Sequence, residues 1–375
     1  MESSTERNEQ AREYEAVHNR LFVVQTIVTL GLLLLFLFSG ASALLADGLA
    51  VRFGADRWYL INAVYVAIVV FGFSACLFPF SYYGGHVLEH HYGLSNDSFG
   101  GWLTDFFKSL LLDLILIVIL FSVIYALLRW MPNWWWLFST LFYILFSVAI
   151  STIYPIWIMP LFHQFEPIEE GELSQAIRAL VEKAGIKISG VYKWGLESKT
   201  STANAAFTGI GKTRRIILSD TLLSDYTQEE ILAILAHEVG HCKNRDTTRL
   251  MLTGSILAFL GFFLAHLFLS KGTALFGFEH IYDIGAAPLF MLALFIFSLV
   301  SMPFSNMHSR RREYAADAYA AQNIGSAEPL VSALEKLADQ NLADREPAAW
   351  IEFFLHSHPS IGRRIQRLRD IVIKN

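Results

Sequence analysis

Six apolar runs constrain this chain more than any other feature. A membrane-crossing helix needs about 20 predominantly apolar residues. Leu21–Leu45, Tyr59–Phe80, Ser109–Leu128, Trp134–Met159, Met251–Leu269 and Ala286–Phe304 meet that requirement. Runs of this length are helical, because a backbone in lipid must satisfy its own hydrogen bonds. Composition agrees: 54% of the 375 residues are hydrophobic and 14% aromatic, too apolar for an ordinary soluble enzyme. Residues 1–20 are polar and mixed in charge, so a frayed or surface-lying terminus is expected there. Ala41-Ser42-Ala43 mimics a signal-peptidase site, but the run before it is too long for a signal peptide and further spans follow. It reads as an uncleaved anchor. Amphipathic Phe99–Lys108 is expected to add interfacial turns, and a seventh crossing is compatible with the pattern. Asp113, one turn inside the third run, faces either headgroups or a polar interior.

Charge sets the expected orientation. With the N-terminus inside, the segments 1–20, 81–108, 160–250 and 305–375 hold 25 of the 29 Lys and Arg residues. Only Arg52, Arg57, Arg129 and Lys271 fall outside. The positive-inside bias therefore puts the two large polar segments on the cytoplasmic face. The chain divides into a membrane region 1–160 with four spans, a polar segment 161–250, a hydrophobic hairpin 251–304 and a polar tail 305–375. A net charge of −5 argues against a nucleic-acid partner. Cys76 and Cys242 are far apart and imply no disulfide framework. Cys242 reads as a buried thiol.

Within 161–250, Glu172–Ala184 has a helical pattern. Ile188–Trp194, Asn204–Gly209 and Arg215–Ser219 read as short strands, with a turn at Gly211-Lys212-Thr213. Each strand serves equally as scaffold or, at a sheet edge, as a template for an extended peptide. A capped helix follows. Thr227 and Glu230 form a T-x-x-E box ahead of an apolar body. Near its end stands His237-Glu238-Val239-Gly240-His241. Histidines at i and i+4 leave one helical face, so two imidazoles reach one zinc ion, and Glu238 reaches a water as general base.

The hairpin returns the chain to the face it left, and Ser309-Arg310-Arg311-Arg312-Glu313-Tyr314-Ala315-Ala316-Asp317 follows. Glu313 is placed to be a third ligand. Asp317, at i+4, is placed to accept a hydrogen bond from a zinc histidine. The plain alternative is a solvated helix face of Arg–Glu pairs. A competing motif, His86-Val87-Leu88-Glu89-His90, matches the inverted pattern H-x-x-E-H. It lacks a cap and follows Gly84-Gly85, so an interfacial cluster of aromatic and histidine residues is the preferred reading. His358 lies 117 residues after His241 in the polar tail. Pro359 biases it towards extended backbone, from which the ring can project into the site. A surface histidine beside a turn, with His356 equally available, is the alternative.

These motifs together resemble the type I CAAX prenyl proteases, integral-membrane members of the gluzincin clan. Leu88-Glu89-His90-His91-Tyr92-Gly93-Leu94 with Asp105–Lys108 looks like the family's N-terminal signature. Asn204-Ala205, Thr208-Gly209 and Arg215–Leu223 resemble its pre-catalytic sheet. His237–His241, Ser309–Asp317 and Ser357-His358-Pro359 with Arg364 resemble its zinc and C-terminal motifs.

The resemblance implies a mainly α, polytopic membrane fold with a small α+β gluzincin-like zinc protease domain. It implies one Zn2+ held by His237, His241 and Glu313, with Glu238 as base. His358 would stabilise the oxyanion, Asn204 and Ala205 would hold substrate main chain, and Arg364 would position substrate or His358. The implied partners are the bilayer and a peptide or protein substrate, lipidated or membrane-bound. Ala206 departs from the family, which has an aromatic residue there, and Ser201-Thr202-Ala203 precedes Asn204 where the family often has His or Ser. These differences bear on substrate preference. The chain is shorter than eukaryotic members, which suggests a prokaryotic homologue. Other functions compatible with the motifs are an HtpX-like protease of damaged membrane proteins and a non-catalytic scaffold with a structural zinc.

Overall fold

The computed structural model describes residues 4–209 and 213–373, so most of the turn expected at Gly211-Lys212-Thr213 lies outside the described residues. Helix α1, Ser4–Phe38, begins in the polar terminus, which is helical and tied down rather than frayed. Ala11 is buried with Leu94 and Leu342. Tyr14 donates to Glu89 at 2.6 Å, and Arg7 donates to the Asp339 carbonyl at 3.0 Å. These partners are distant in sequence, so no local pattern announces them. Gly40, at φ 74°, ends this helix and starts α2, Ala41–Phe53. The run Leu21–Leu45 is therefore split, because hydropathy does not register a left-handed glycine.

Helix α3, Trp58–Tyr82, passes through a π-helical turn at Tyr83–Val87 into α4, Leu88–His91. Ser98 then caps α5, Phe99–Trp130, accepting from the Gly101 amide at 3.0 Å. Phe99–Lys108 thus forms the first turns of a long helix rather than separate interfacial turns. Asp113 is exposed on α5. Helix α6, Trp135–Ile153, completes the N-terminal membrane region. Its Tyr65, Ile124, Tyr125, Leu128 and Trp135 share one buried core with Phe262 and Phe290 from the later hairpin.

The polar segment folds as a four-stranded sheet with flanking helices. β1, Phe165–Pro167, was not evident from the sequence. α7, Glu172–Lys183, precedes β2, Gly190–Trp194, β3, Ala205–Thr208, and β4, Arg215–Ser219. The order is β1-β2-β4-β3, with β2 and β4 parallel and the other pairs antiparallel. β3 is consequently an edge strand. Short α8, Asp220–Asp225, leads to α9, Gln228–Lys243, which packs on the sheet through Ile231, Leu235 and Val239.

α10, Asp246–Leu275, and α11, Ala287–Ile324, form the hairpin. Residues 250 and 304 both lie inside these helices, so the polar and membrane parts share continuous helices. A helix keeps its backbone bonds internal and needs no break where its side chains change character. α12, Glu328–Gln340, α13, Ala349–Leu355, and α14, Ile361–Ile373, close the chain. Among the described residues, six helical stretches are long and apolar enough to cross a membrane.

Candidate metal centre

The site is built where α9 crosses α11. The cap of α9 forms as its sequence predicts: Thr227 accepts from the Glu230 amide at 3.3 Å, and the Thr227 amide donates to Glu230 at 2.8 Å. Ser332 and Lys336 of α12 also donate to Glu230, at 2.6 and 2.7 Å. Burial raises the Glu230 pKa, but these donors outweigh it and hold the carboxyl at about 2. Gly240 fixes how closely the helices approach. A Cβ there would stand 3.0 Å from the Ala316 Cα. That close crossing lays Glu313 and Asp317 of α11 alongside the two histidines of α9.

Nε2 of His237 and Nε2 of His241 are 3.1 Å apart. Glu313 Oε2 lies 3.4 Å from the first and Glu313 Oε1 3.3 Å from the second. Each Nδ1 faces a carboxylate: His237 is 2.8 Å from Asp317, and His241 is 3.0 Å from Asp246. A carboxylate on Nδ1 makes that nitrogen the protonated one and turns the Nε2 lone pair inward. Two inward lone pairs and a carboxylate converge, an arrangement that a cation relieves. Among the described residues this is the one His/Cys/Asp/Glu group compact enough to hold a metal. Burial lowers both histidine pKa values, but the surrounding carboxylates outweigh it, raising His237 and bringing His241 to about 9.

Arg364 of α14 braces the assembly from behind, donating to both Asp317 oxygens at 2.9 and 2.7 Å. Glu238 is half-buried beside the donors. Both histidines, Glu238, Glu313, His358, Asn204, Ala205 and Arg364 line a single cavity of about 830 Å3. Asp317 lies behind its wall. His358 projects from the loop between α13 and α14, 3.5 Å from Glu313. Its Nδ1 is 3.0 Å from Ser357 Oγ. Both main-chain groups of Asn204 pair with Ser219, and Ala205 pairs with Leu218 on the inner side of β3. Among the described residues no strand pairs with the outer side of β3, which leaves an edge that an extended chain can add to.

The inverted motif is not part of this cluster. Glu89 accepts from Tyr14 and stands 3.2 Å from His18, while His90 Nδ1 bonds the His86 carbonyl at 2.7 Å. Cys242 packs against the sheet core, where burial raises its thiol to about 11. Three features escaped the sequence reading: Asp246, the Gly240–Ala316 contact and the Arg364–Asp317 pair. Asp246 follows the motif helix by one turn and is 2% exposed, so a carboxylate just past H-E-x-x-H was its only local signal.

The membrane helices and this donor set define a membrane-embedded metalloendopeptidase. The chain belongs to peptidase family M48, which its residues 167–372 match. Residues 2–164 match the CAAX prenyl protease N-terminal region, described as five membrane helices. Among the described residues of that region there are four helical stretches of spanning length and the 13-residue α2. An uncharacterized metalloprotease, YhfN of Bacillus subtilis, is 31% identical over 95% of this chain and 84% of its own. CAAX prenyl protease 1 of Saccharomyces cerevisiae is 28% identical over 83% of this chain and 74% of its own. The crystal structure of S. mikatae Ste24p superposes with a TM-score of 0.85 at 25% identity, covering 98% of this chain and 89% of that one. The protein is thus a multi-pass membrane metalloprotease, homologous to CAAX prenyl proteases, whose substrates are peptides or proteins.

Proposed function

We propose that the protein is a zinc endopeptidase that cuts lipidated, membrane-held substrates near their C-terminus at the cytoplasmic face. The observation carrying this reading is the donor triangle of His237, His241 and Glu313: the two Nε2 atoms are 3.1 Å apart, and they stand 3.4 and 3.3 Å from the two different oxygens of Glu313. Ligand atoms about 2.0–2.1 Å from a tetrahedral zinc stand roughly 3.3 Å apart, so His237, His241 and Glu313 fit that ion. Two nitrogens and one carboxylate are also the donor set of catalytic rather than structural zinc. When bound, the ion supplies Lewis acidity that acidifies water and polarises a carbonyl.

The chain's own groups do the rest. Asn204 and Ala205 hold substrate main chain along the edge of β3. Glu238 takes a proton from the water as the water oxygen bonds to the scissile carbon. It then passes that proton to the leaving amine as the C–N bond breaks. His358 donates to the carbonyl oxygen as charge builds there. Asp317 and Asp246 keep the imidazoles oriented, and Arg364 supports Asp317. The bias of 25 of 29 Lys and Arg residues supports a cytoplasmic site, in the cell membrane of a prokaryote or the endoplasmic reticulum of a eukaryote. The net charge of −5 supports the absence of a nucleic-acid partner.

Cleavage of matched peptides, with and without a farnesylated C-terminal C-a-a-X cysteine, tests this on purified protein whose zinc content is measured. The lipidated peptide should be cut with a kcat/KM higher by about tenfold or more, worth some 1.4 kcal/mol of recognition. Equal rates would show that the lipid is not read and favour general turnover of membrane proteins. Bound zinc with neither peptide cut would favour a structural site.

A further inference from the structure

His358 is 65% exposed in its side chain, and its contacts are with its neighbour Ser357 and with Glu313 at 3.5 Å. Its own side chain therefore does little to hold it, and the backbone of the 356–360 loop decides where the ring stands. That loop is fastened at both ends. At its far end the Gly362 amide donates to the Arg345 carbonyl at 3.1 Å, an approach so close that a Cβ on Gly362 would meet that oxygen at 2.5 Å. At its near end stands Arg310, only 9% exposed, which donates from one nitrogen to the carbonyls of Glu352 at 2.7 Å and His356 at 2.6 Å. The His356 carbonyl lies past the end of α13, where no helical partner is available, while the Glu352 carbonyl also accepts from the His356 amide at 3.3 Å. One turn earlier on α11, Asn306 donates to the Phe354 carbonyl at 2.8 Å.

Residues 306, 310, 313 and 317 lie on one face of α11. The same stripe therefore holds Glu313 in the donor triangle, Asp317 behind His237, and two clamps on the His358 segment. We propose that Arg310 is a positioning residue for catalysis, which sets the distance between the His358 loop and the metal-binding helix. This rests on the oxyanion role given above to His358. Arg310 itself touches neither substrate nor donor triangle; its effect passes through the loop backbone.

A double-mutant cycle on full-length protein tests the proposal. It uses the farnesylated peptide, or its unlipidated twin if that is the form cut. Arg310→Gln should lower kcat about 10–10²-fold, the scale of a misplaced catalytic group, with metal content and KM close to wild type. In a His358→Ala background it should cost less than about twofold more, because residues acting as one unit are not additive. Arg310→Lys, which keeps a charged donor, should recover most of the loss; it also carries the cycle if the glutamine variant does not fold. Equal losses in both backgrounds, or loss of metal alongside activity, would overturn the positioning role. A His358→Ala enzyme with wild-type kcat would instead overturn the oxyanion role.

Discussion

The membrane helices and the catalytic segment are buried in opposite senses. α1, α5 and α6 keep only 11% of their most apolar 18-residue stretch fully buried inside the protein, the rest being half-buried or exposed. α11, which serves both regions, keeps 44% of its stretch inside. In the catalytic segment, by contrast, the buried groups include charges: Glu230, Asp246, Arg310, Glu313, Asp317 and Glu352 are each 9% exposed or less. Lipid is as apolar as leucine, so an outward-facing helix asks only for apolar surface. A buried charge asks for a particular partner in a particular place, and leaving it unpaired costs several kcal/mol. The catalytic segment should be intolerant of small changes that the lipid-facing surface absorbs.

The largest effect expected from that contrast is at Glu313. Glu313→Ala should abolish stoichiometric metal binding and hydrolysis together, while Glu89→Ala, which breaks only the Tyr14 and His18 contacts, should keep the metal. Elemental analysis of the two purified variants decides it; metal lost from the second and kept by the first would move the centre to the inverted motif. Next comes Glu238→Gln, which should retain metal and lose about 10²–10⁴-fold in kcat, the range for a general base. Near-normal turnover with the metal in place would remove Glu238 from the chemistry.

Glu230 gives a smaller effect with a pH signature. Its pKa is depressed to about 2, so the stability it contributes is present above its ordinary range near 4.5 and fades as pH falls towards 2. Lys336→Ala should cost about 1–3 kcal/mol near neutrality. Melting curves of variant and wild type should converge below pH 4.5; a gap that persists at pH 2 would mean that Lys336 acts through packing. The smallest effect is expected at Leu111, read against Leu235. Leu235, fully buried on the sheet-facing side of α9, should cost about 2–5 kcal/mol on mutation to Ala. Leu111, 58% exposed on α5, should cost less than about 0.5 kcal/mol. Similar shifts in melting temperature for the two would erase the distinction between the regions.

The sequence was most legible where a property is local and periodic. Apolar length located the spans, and the T-x-x-E box located the start of α9. The i, i+4 spacing placed His237 and His241 on one face, and the same spacing joined Glu313 to Asp317. It was least legible where one residue overrules a trend or where partners come from afar. Gly40 splits an apolar run that hydropathy reads as continuous, and polar residues 4–20 are helical because Glu89, Asp339 and Leu342 hold them.

Which chemistry-bearing side chains this protein owns, and on which helices, followed from its sequence, because helical geometry turns spacing into direction. That Glu313 meets those histidines at 3.3–3.4 Å, that Asp246 rather than a neighbour orients His241, and that Arg310 holds the His358 loop were decided only by the tertiary structure. The first of these depends on how closely α9 and α11 cross, and that distance is set by the missing side chain of Gly240 against Ala316. A close approach between residues 76 positions apart leaves no periodic trace in either segment.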